Sequence, residues 1–224
     1  IKIDEDFYQQ HLSRIGAIHD HLLQSWYLRQ QLDKGLKCDK YQVVTVVREP
    51  IARNISAFFQ TLEYQFGYDY HAKIKNCELN EIVKELSALF FREDERHERP
   101  LTWFDLELKE VFGVDVFASE FDRNRGYQIY RSEKADVLLV KLEDLDRFAS
   151  QAFKDFLGLE DFTLAKSNLG EKKKYKTLYR HFVDSIFIPE SYINKMYDSQ
   201  YTKHFYSDRE IDALKRKWNA RRSS

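Results

Sequence analysis

Glycine, proline and cysteine are all scarce in this chain of 224 residues, with 7, 3 and 2 occurrences. No stretch is therefore rich enough in glycine and proline to be a linker, and neither a repeat nor a low-complexity tract is present. The two cysteines, Cys38 and Cys77, lack metal-ligand spacing and cannot form a framework of disulfides. This favours a reducing compartment and leaves room for one disulfide at most.

An excess of charge and a long apolar run are also missing. The 36 basic and 37 acidic residues nearly cancel, which argues against a protein that binds nucleic acid or a membrane surface through general charge. No run of eighteen apolar residues occurs, so we expect no membrane span. With 43% hydrophobic and 15% aromatic residues, the chain can bury one core and is expected to form one domain.

The segment from residue 43 to residue 59 carries the most information. Its first five residues are four valines and one threonine, which is typical of a strand buried on both faces in a parallel sheet. Pro50 suits the first turn of a helix, where its missing N–H costs nothing. Arg48 is therefore expected at the carboxyl end of the strand, where open α/β sheets bind their ligands.

Helical spacing predicts which side chains of this segment share a face. Ser56 falls on the same side as Glu49, Arg53 and Gln60. The opposite, apolar side consists of Ile51, Ile55, Phe58, Phe59 and Leu62. The Arg48 guanidinium and the Ser56 hydroxyl are thus expected to face one anion-sized space, near the positive end of the helix. The alternative is an ion pair between Arg48 and Glu49, with Ser56 merely exposed.

The order Arg-Glu-Pro-x-x-Arg-x-x-Ser-x-Phe, starting at Arg48, resembles the 3′-phosphate-binding motif of sulfotransferases that use 3′-phosphoadenosine 5′-phosphosulfate. The resemblance implies that Arg48 and Ser56 hold the 3′-phosphate of this nucleotide cosubstrate, with Arg53 in support. Arginine offers a planar fork of donors that suits a phosphate dianion, and serine adds an uncharged donor. The product would be adenosine 3′,5′-bisphosphate. The implied fold class is α/β, a P-loop-NTPase-like three-layer fold with a short central parallel sheet and many flanking helices.

Residues 53–59, 103–105 and 204–207 resemble, more closely, a bacterial family of capsular polysaccharide synthesis proteins related to sulfotransferases. This likeness runs along nearly the whole chain. It implies a saccharide acceptor and a location in the bacterial cytoplasm. Residues 1–224 are expected to form a single sulfotransferase-like domain that is truncated at the N-terminus. The chain starts at Ile1 and lacks the Gly-, Lys- and Ser/Thr-bearing loop that would cradle the 5′-phosphosulfate. Either the chain is a fragment that begins after this loop, which we favour, or it has lost the donor site.

Two histidines and two lysines are further candidates by the same resemblance. Cytosolic sulfotransferases have a catalytic histidine at the end of the strand before the 3′-phosphate strand, which makes His21 the first candidate for the base and His19 the alternative. A structural role, with the ring bonded to the backbone, would account for His21 or His19 equally well. A metal site is not supported, because no Cys or third His lies nearby in the sequence. Lys172 and Lys173 lie in a loop comparable to one that covers the nucleotide, although a run of lysines before a helix is usually solvent-facing.

Two other functions compete with sulfuryl transfer. A binding protein with the same phosphate site but no catalysis could serve in the assembly of polysaccharide synthesis. A nucleotide kinase of the same broad fold would need a Walker-type loop and a magnesium-binding carboxylate at a strand end. Glu143 and Asp144 are its only weak candidates.

Local patterns predict the remaining elements. Strands are expected at 14–18, at 127–131, as a short edge strand or part of a hairpin, and at 137–141. Helices are expected at 4–12, 20–32, 79–91, 102–112, 148–157, 178–187, 191–197 and 208–218, and Gly35 is expected to close the second of them. The charged run 92–99 is expected to be a solvated loop or helix end stopped by Pro100. Trp103, Phe104 and Leu108 are expected in the core. Ser207 and Glu210 form a predicted capping box.

Overall fold

The computed structural model describes residues 30, 32, 34–35, 40–66, 78–92, 94–165 and 175–219. The chain divides into one unit of residues 1–41 and a second unit of residues 42–224. In the first unit, Gln30 and Leu32 are helical and Gly35 follows with φ +68°, in agreement with a helix closed by Gly35. The elements predicted for residues 4–12 and 14–18 lie outside the described residues. The architecture below is that of the second unit.

Three described strands form one mixed sheet: β1 (Tyr41–Val47), β2 (Tyr127–Arg131) and β3 (Ala135–Lys141), in the order β1-β3-β2. β2 and β3 form the predicted hairpin, antiparallel with Tyr127 opposite Val140. Because the sheet is mixed, β1 runs parallel to β3. The chain therefore leaves both strands at the same edge, at Arg48 and at Leu142.

The prediction that β1 is buried on both faces is wrong. Val44 and Val46 expose 45% and 50% of their surface, whereas Val47 is fully buried. Among the described strands β1 lies at the edge of the sheet, and its alternating exposure means that only one face is covered. The expected parallel sheet is also only partly present, since β2 pairs antiparallel with β3. β3 is buried at every position except Asp136, as predicted.

Eight helices belong to the described chain. They are α1 (Pro50–Phe66), α2 (Leu79–Arg92), α3 (Asp94–Trp103, extended through Phe112), α4 (Leu145–Leu157), α5 (Lys176–Ser185), α6 (Glu190–Tyr197), α7 (Gln200–Phe205) and α8 (Asp208–Asn219). Only α7 has no counterpart among the predicted helices. None of the described helices is long and apolar enough to cross a membrane.

Helix α3 corrects two predictions. It begins inside the charged run and continues through Pro100, passing into a π-helical segment, Phe104–Lys109, and a last turn that ends before Gly113. The helix survives the proline because buried residues on either side of it, His97 and Phe104, anchor it to the core. Trp103 is 40% exposed rather than part of the core, whereas Phe104 and Leu108 are buried as predicted.

Helix α1 positions the candidate site. It starts at Pro50, as predicted, and its five apolar residues named above are all buried. Phe58 and Phe59 pack against Phe182 of α5, with ring centroids 6.0 and 5.1 Å apart. This packing fixes the rotation of α1, so that Arg53 and Ser56 lie on the side that is not buried.

Candidate anion-binding site

Arg48 lies between β1 and α1, and one distant side chain holds its backbone. The Arg48 N–H donates to the Tyr201 hydroxyl at 3.0 Å, and the same hydroxyl donates to the Arg48 carbonyl oxygen at 3.0 Å. Tyr201, on α7, is buried and stacks on Phe104 with ring centroids 5.8 Å apart. Both polar backbone groups of Arg48 are thereby satisfied, and the position from which its guanidinium extends is fixed.

Glu49 caps helix α1. Its Oε1 accepts from the Ile51 N–H at 2.7 Å and its Oε2 accepts from the Ala52 N–H at 2.9 Å. The Tyr197 hydroxyl donates to Oε1 at 2.5 Å. Burial raises the pKa of Glu49, and these three donors oppose that shift because they favour the ionised carboxylate. Glu49 is therefore a buried N-cap, and its carboxylate does not pair with Arg48.

The cap changes what the start of α1 can offer a ligand. The sequence predicted that the positive end of the helix would help to hold an anion. The N–H groups of Ile51 and Ala52 are instead taken by the Glu49 carboxylate, whose charge also offsets the helix dipole. An anion at this place would have to be held mainly by side chains.

Glu143 ties the β1–α1 junction, which consists of Arg48 and Glu49, to the end of β3. Its Oε1 accepts from the Glu49 N–H at 2.8 Å, and its Oε2 accepts from the Tyr206 hydroxyl at 3.1 Å. Asp144 lies 3.6 Å from Lys141 and 3.5 Å from Arg147. Both candidate magnesium ligands of the kinase alternative are thus engaged with protein groups. Within the described ranges, no three His, Cys, Asp or Glu side chains are grouped as metal ligands would be.

The side chains of Arg48, Arg53 and Ser56 have few partners. Within the part of the chain that the structure describes, the Arg48 guanidinium and the Ser56 hydroxyl make no hydrogen bond or ion pair, and Arg53 donates only to Asn54 Oδ1, at 3.1 Å. Burial lowers the pKa of Arg53, and the positive charge of Arg48 lowers it further. Two guanidinium groups therefore influence each other with no described carboxylate to neutralise them, an arrangement that favours a bound anion.

Several predicted site residues cannot be placed. His19, His21, Lys172 and Lys173 lie outside the described residues, so their roles stay predictions.

The residues that sequence reasoning missed are Tyr197, Tyr201 and Tyr206, which hold the junction through their hydroxyls. Tyr197 and Tyr201 lie on different helices, α6 and α7, and nothing in the sequence around Tyr201 indicated a partner 153 residues away.

Replacing Tyr201 by Phe is expected to lower the free energy of unfolding by about 1–3 kcal/mol, because the Arg48 N–H and carbonyl lose their partner in a partly buried place. The ring and its packing on Phe104 are kept, so the variant isolates the hydroxyl. Tyr179→Phe is the matched control, since the Tyr179 hydroxyl makes no hydrogen bond with any described residue. Equal urea midpoints for the two variants would contradict a stabilising role for the Tyr201 hydroxyl.

Comparison with known proteins identifies a family. Residues 74–207, more than half of the chain, match the family described as "Putative capsular polysaccharide synthesis protein". No curated protein and no solved structure gives a match. The matched region contains Glu143 and the three tyrosines that hold the junction, whereas Arg48 and Ser56 precede it. This chain belongs to the capsular polysaccharide synthesis protein family.

Proposed function

We propose that this protein is a sulfotransferase that moves a sulfuryl group from 3′-phosphoadenosine 5′-phosphosulfate to a hydroxyl or amine of a saccharide. The observation that carries the proposal is the set of donors at Arg48, Arg53 and Ser56, which has no neutralising carboxylate among the described residues. The family supports a role in polysaccharide synthesis. We further propose a P-loop-like fold and a cytoplasmic location.

The donor types fit the 3′-phosphate of the nucleotide. The Arg48 guanidinium presents paired N–H groups at the spacing of two phosphate oxygens. Ser56 adds a hydroxyl from the outward side of α1, and Arg53 adds a second positive charge. Since the first amides of α1 are already bonded to Glu49, these side chains would supply most of the binding free energy.

In the proposed reaction the bond from sulfur to the bridging phosphate oxygen breaks, and a bond from sulfur to the acceptor oxygen or nitrogen forms. The acceptor proton passes to a base, for which His21 is the first candidate and His19 the alternative. Arg48 would hold the nucleotide in line with the acceptor, and Lys172 and Lys173 would add charge from a loop. Of these five residues, the two histidines and the two lysines lie outside the described residues.

A second candidate function is a nucleotide-binding assembly component without catalysis. One observation favours it: the carboxylates of Glu49 and Glu143, next to Arg48, are both bonded to protein groups. Neither is free to act as a base. The two candidates for the base, His21 and His19, lie outside the described ranges, whereas Arg48, Arg53 and Ser56, the proposed phosphate-binding residues, lie within them.

A transfer assay separates the two functions. The chain would be incubated with sulfur-35-labelled donor and desulfated capsular polysaccharide. We expect labelled polysaccharide together with an equal amount of adenosine 3′,5′-bisphosphate. Nucleotide binding without any labelled acceptor would favour the assembly component, and the absence of both would contradict the nucleotide site itself.

Ser56→Ala is expected to reduce the affinity for adenosine 3′,5′-bisphosphate by about tenfold or more, the effect of losing one hydrogen bond to a charged group. Ser150→Ala, an exposed serine on α4 with no hydrogen bond to a described residue, is the matched control. Calorimetric titration measures both. Equal affinities of the two variants would remove Ser56 from the site.

A further inference from the structure

A large polar cavity lies between the segment that precedes β2 and the start of α8. Its volume is about 700 Å³, and it is lined by residues 120–124, Ser207 and Glu210. Sites for small molecules measure about 300–1,000 Å³, so the cavity has the size of a ligand site. None of the proposed phosphate-binding residues lines it. We call it the 120–124 cavity.

The cavity lies at the edge of the sheet where β1 and β3 end. The Lys141 N–H, at the end of β3, donates to the Gly126 carbonyl oxygen at 2.8 Å, which holds the chain just before β2 at this edge. Tyr206, the residue before the other wall, donates its hydroxyl to Glu143 Oε2, and Glu143 Oε1 accepts from the Glu49 N–H. The cavity is therefore a neighbour of the β1–α1 junction, at the edge where open α/β sheets bind their ligands.

The polar lining is held in place by its own hydrogen bonds. Asp122 Oδ1 accepts from the N–H groups of the second and third residues after it, at 3.1 and 3.0 Å. The Arg123 guanidinium donates to the carbonyl oxygens of Lys203 and His204, at 2.7 and 3.3 Å. Phe121 is buried and anchors the segment to the core. The lining does not have to be ordered when a ligand binds, which lowers the entropic cost of binding.

The charge of the lining is negative on balance. Glu120 makes no hydrogen bond or ion pair with a described residue, and Asp122 pairs with no described cation. Glu210 is already paired with Lys141, and the partners of Arg123 are uncharged carbonyl groups. Two carboxylates and one guanidinium thus remain for a ligand. They complement hydroxyls and a positively charged group, and they disfavour a phosphate or a uronic acid.

We propose that the 120–124 cavity binds an amino sugar of the polysaccharide, with its ammonium group at Glu120 and Asp122. Sugar hydroxyls both donate and accept, which suits the Asn124 amide and the Arg123 guanidinium. The inference rests on the proposed function, because it names the saccharide that would serve as acceptor. An ammonium group held by carboxylates keeps its proton and has no free electron pair. The sulfuryl group would therefore pass to a hydroxyl of the sugar and not to its amine.

A titration without nucleotide tests the site. The nitrogen-15-labelled chain would be titrated with glucosamine and with glucuronate, and the backbone signals would be followed by NMR. Glu120→Gln removes an unpaired carboxylate, and Asn124→Leu replaces an amide by an apolar group of similar size. Glu133→Gln is the matched control, because Glu133 is exposed in the turn between β2 and β3, at the opposite edge of the sheet.

We expect glucosamine to shift the signals of residues 120–124 and 207–210 and to bind about fivefold or more tightly than glucuronate does. Glu120→Gln should weaken glucosamine binding about two- to fivefold, the effect of losing an exposed ion pair. Asn124→Leu should weaken it about two- to tenfold, the effect of losing a hydrogen bond, and Glu133→Gln should leave it unchanged. Shifts absent from the cavity, unchanged affinity in both cavity variants, or equal binding of the two sugars would overturn the proposal.

The nucleotide site is tested separately by Arg48→Ala, which should leave the shifts caused by glucosamine intact. If the wild type transfers no sulfuryl group while these shifts persist, the proposed function fails and the sugar site stands. If transfer occurs and glucosamine causes no shift at the cavity, the proposed function stands and the sugar site is refuted.

Discussion

Arg48→Ala is expected to weaken binding of adenosine 3′,5′-bisphosphate by about 10- to 100-fold, the loss of one or two hydrogen bonds between a guanidinium and a phosphate. Stability should change little, because the Arg48 side chain makes no hydrogen bond or ion pair with any described residue. The backbone bonds from Arg48 to Tyr201 do not depend on the side chain and should persist in the variant. Calorimetric titration and thermal unfolding measure the two effects separately.

The matched control for Arg48→Ala is Arg131→Ala. Arg131 is exposed on the edge strand β2 and, among the described residues, has no hydrogen-bond or ion-pair partner for its side chain. Removing it changes the net charge of the protein by the same amount as removing Arg48. A similar loss of affinity in both variants would mean that the nucleotide responds only to general charge, and the site at the end of β1 would have to be abandoned.

Glu49→Ala is expected to lower the free energy of unfolding by about 2–5 kcal/mol. The loss of an N-cap costs about 1–2 kcal/mol, and a buried hydroxyl left without its acceptor costs about 1–3 kcal/mol. The lost N-cap leaves the N–H groups of Ile51 and Ala52 without their acceptor, and the hydroxyl that loses its acceptor is that of Tyr197. Urea denaturation followed by circular dichroism measures the difference.

Glu49→Gln refines this test. The amide keeps one acceptor oxygen but turns the other into a donor, which faces N–H and O–H groups that are themselves donors. The loss should therefore be smaller than for alanine but still measurable. Glu107→Ala, at an exposed position of the π-helical segment, is the control and should change stability by less than about 0.5 kcal/mol. Full stability of both Glu49 variants would contradict the buried cap.

Features that depend on neighbouring residues were predictable from the sequence. The start of α1 at Pro50, its buried face and the β2–β3 hairpin are all found. The capping box is confirmed as well, because Glu210 Oε2 accepts from the Ser207 N–H at 2.8 Å. Each of these follows from spacing along a few residues, over which helical and strand periodicity hold without knowledge of the tertiary structure.

Features set by the tertiary structure were not predictable. The exposure of Val44 and Val46 depends on which elements cover β1, and the passage of α3 through Pro100 depends on buried anchors on both sides of it. The bonds that hold the junction join Glu49 to Glu143 and Arg48 to Tyr201, across 94 and 153 residues. No local pattern encodes contacts at such separations, and the tyrosines that make them look like ordinary core residues.

The candidate site lies between these two cases. The sequence placed Arg48 directly after a strand and Ser56 on the outward side of a helix, and both placements are found. Whether Glu49 would neutralise Arg48 could not be decided from their adjacency. The carboxylate caps the helix instead, so it does not pair with the Arg48 guanidinium.

The most direct test of a 3′-phosphate site compares two nucleotides on two proteins. The affinities of the wild type and Arg48→Ala for adenosine 3′,5′-bisphosphate and adenosine 5′-monophosphate would be measured by calorimetry. The wild type should prefer the bisphosphate by about tenfold or more, and the variant should lose most of that preference, keeping only what Ser56 and Arg53 supply. A wild type that does not distinguish the two nucleotides, or a preference that survives undiminished in the variant, would contradict the assignment of Arg48.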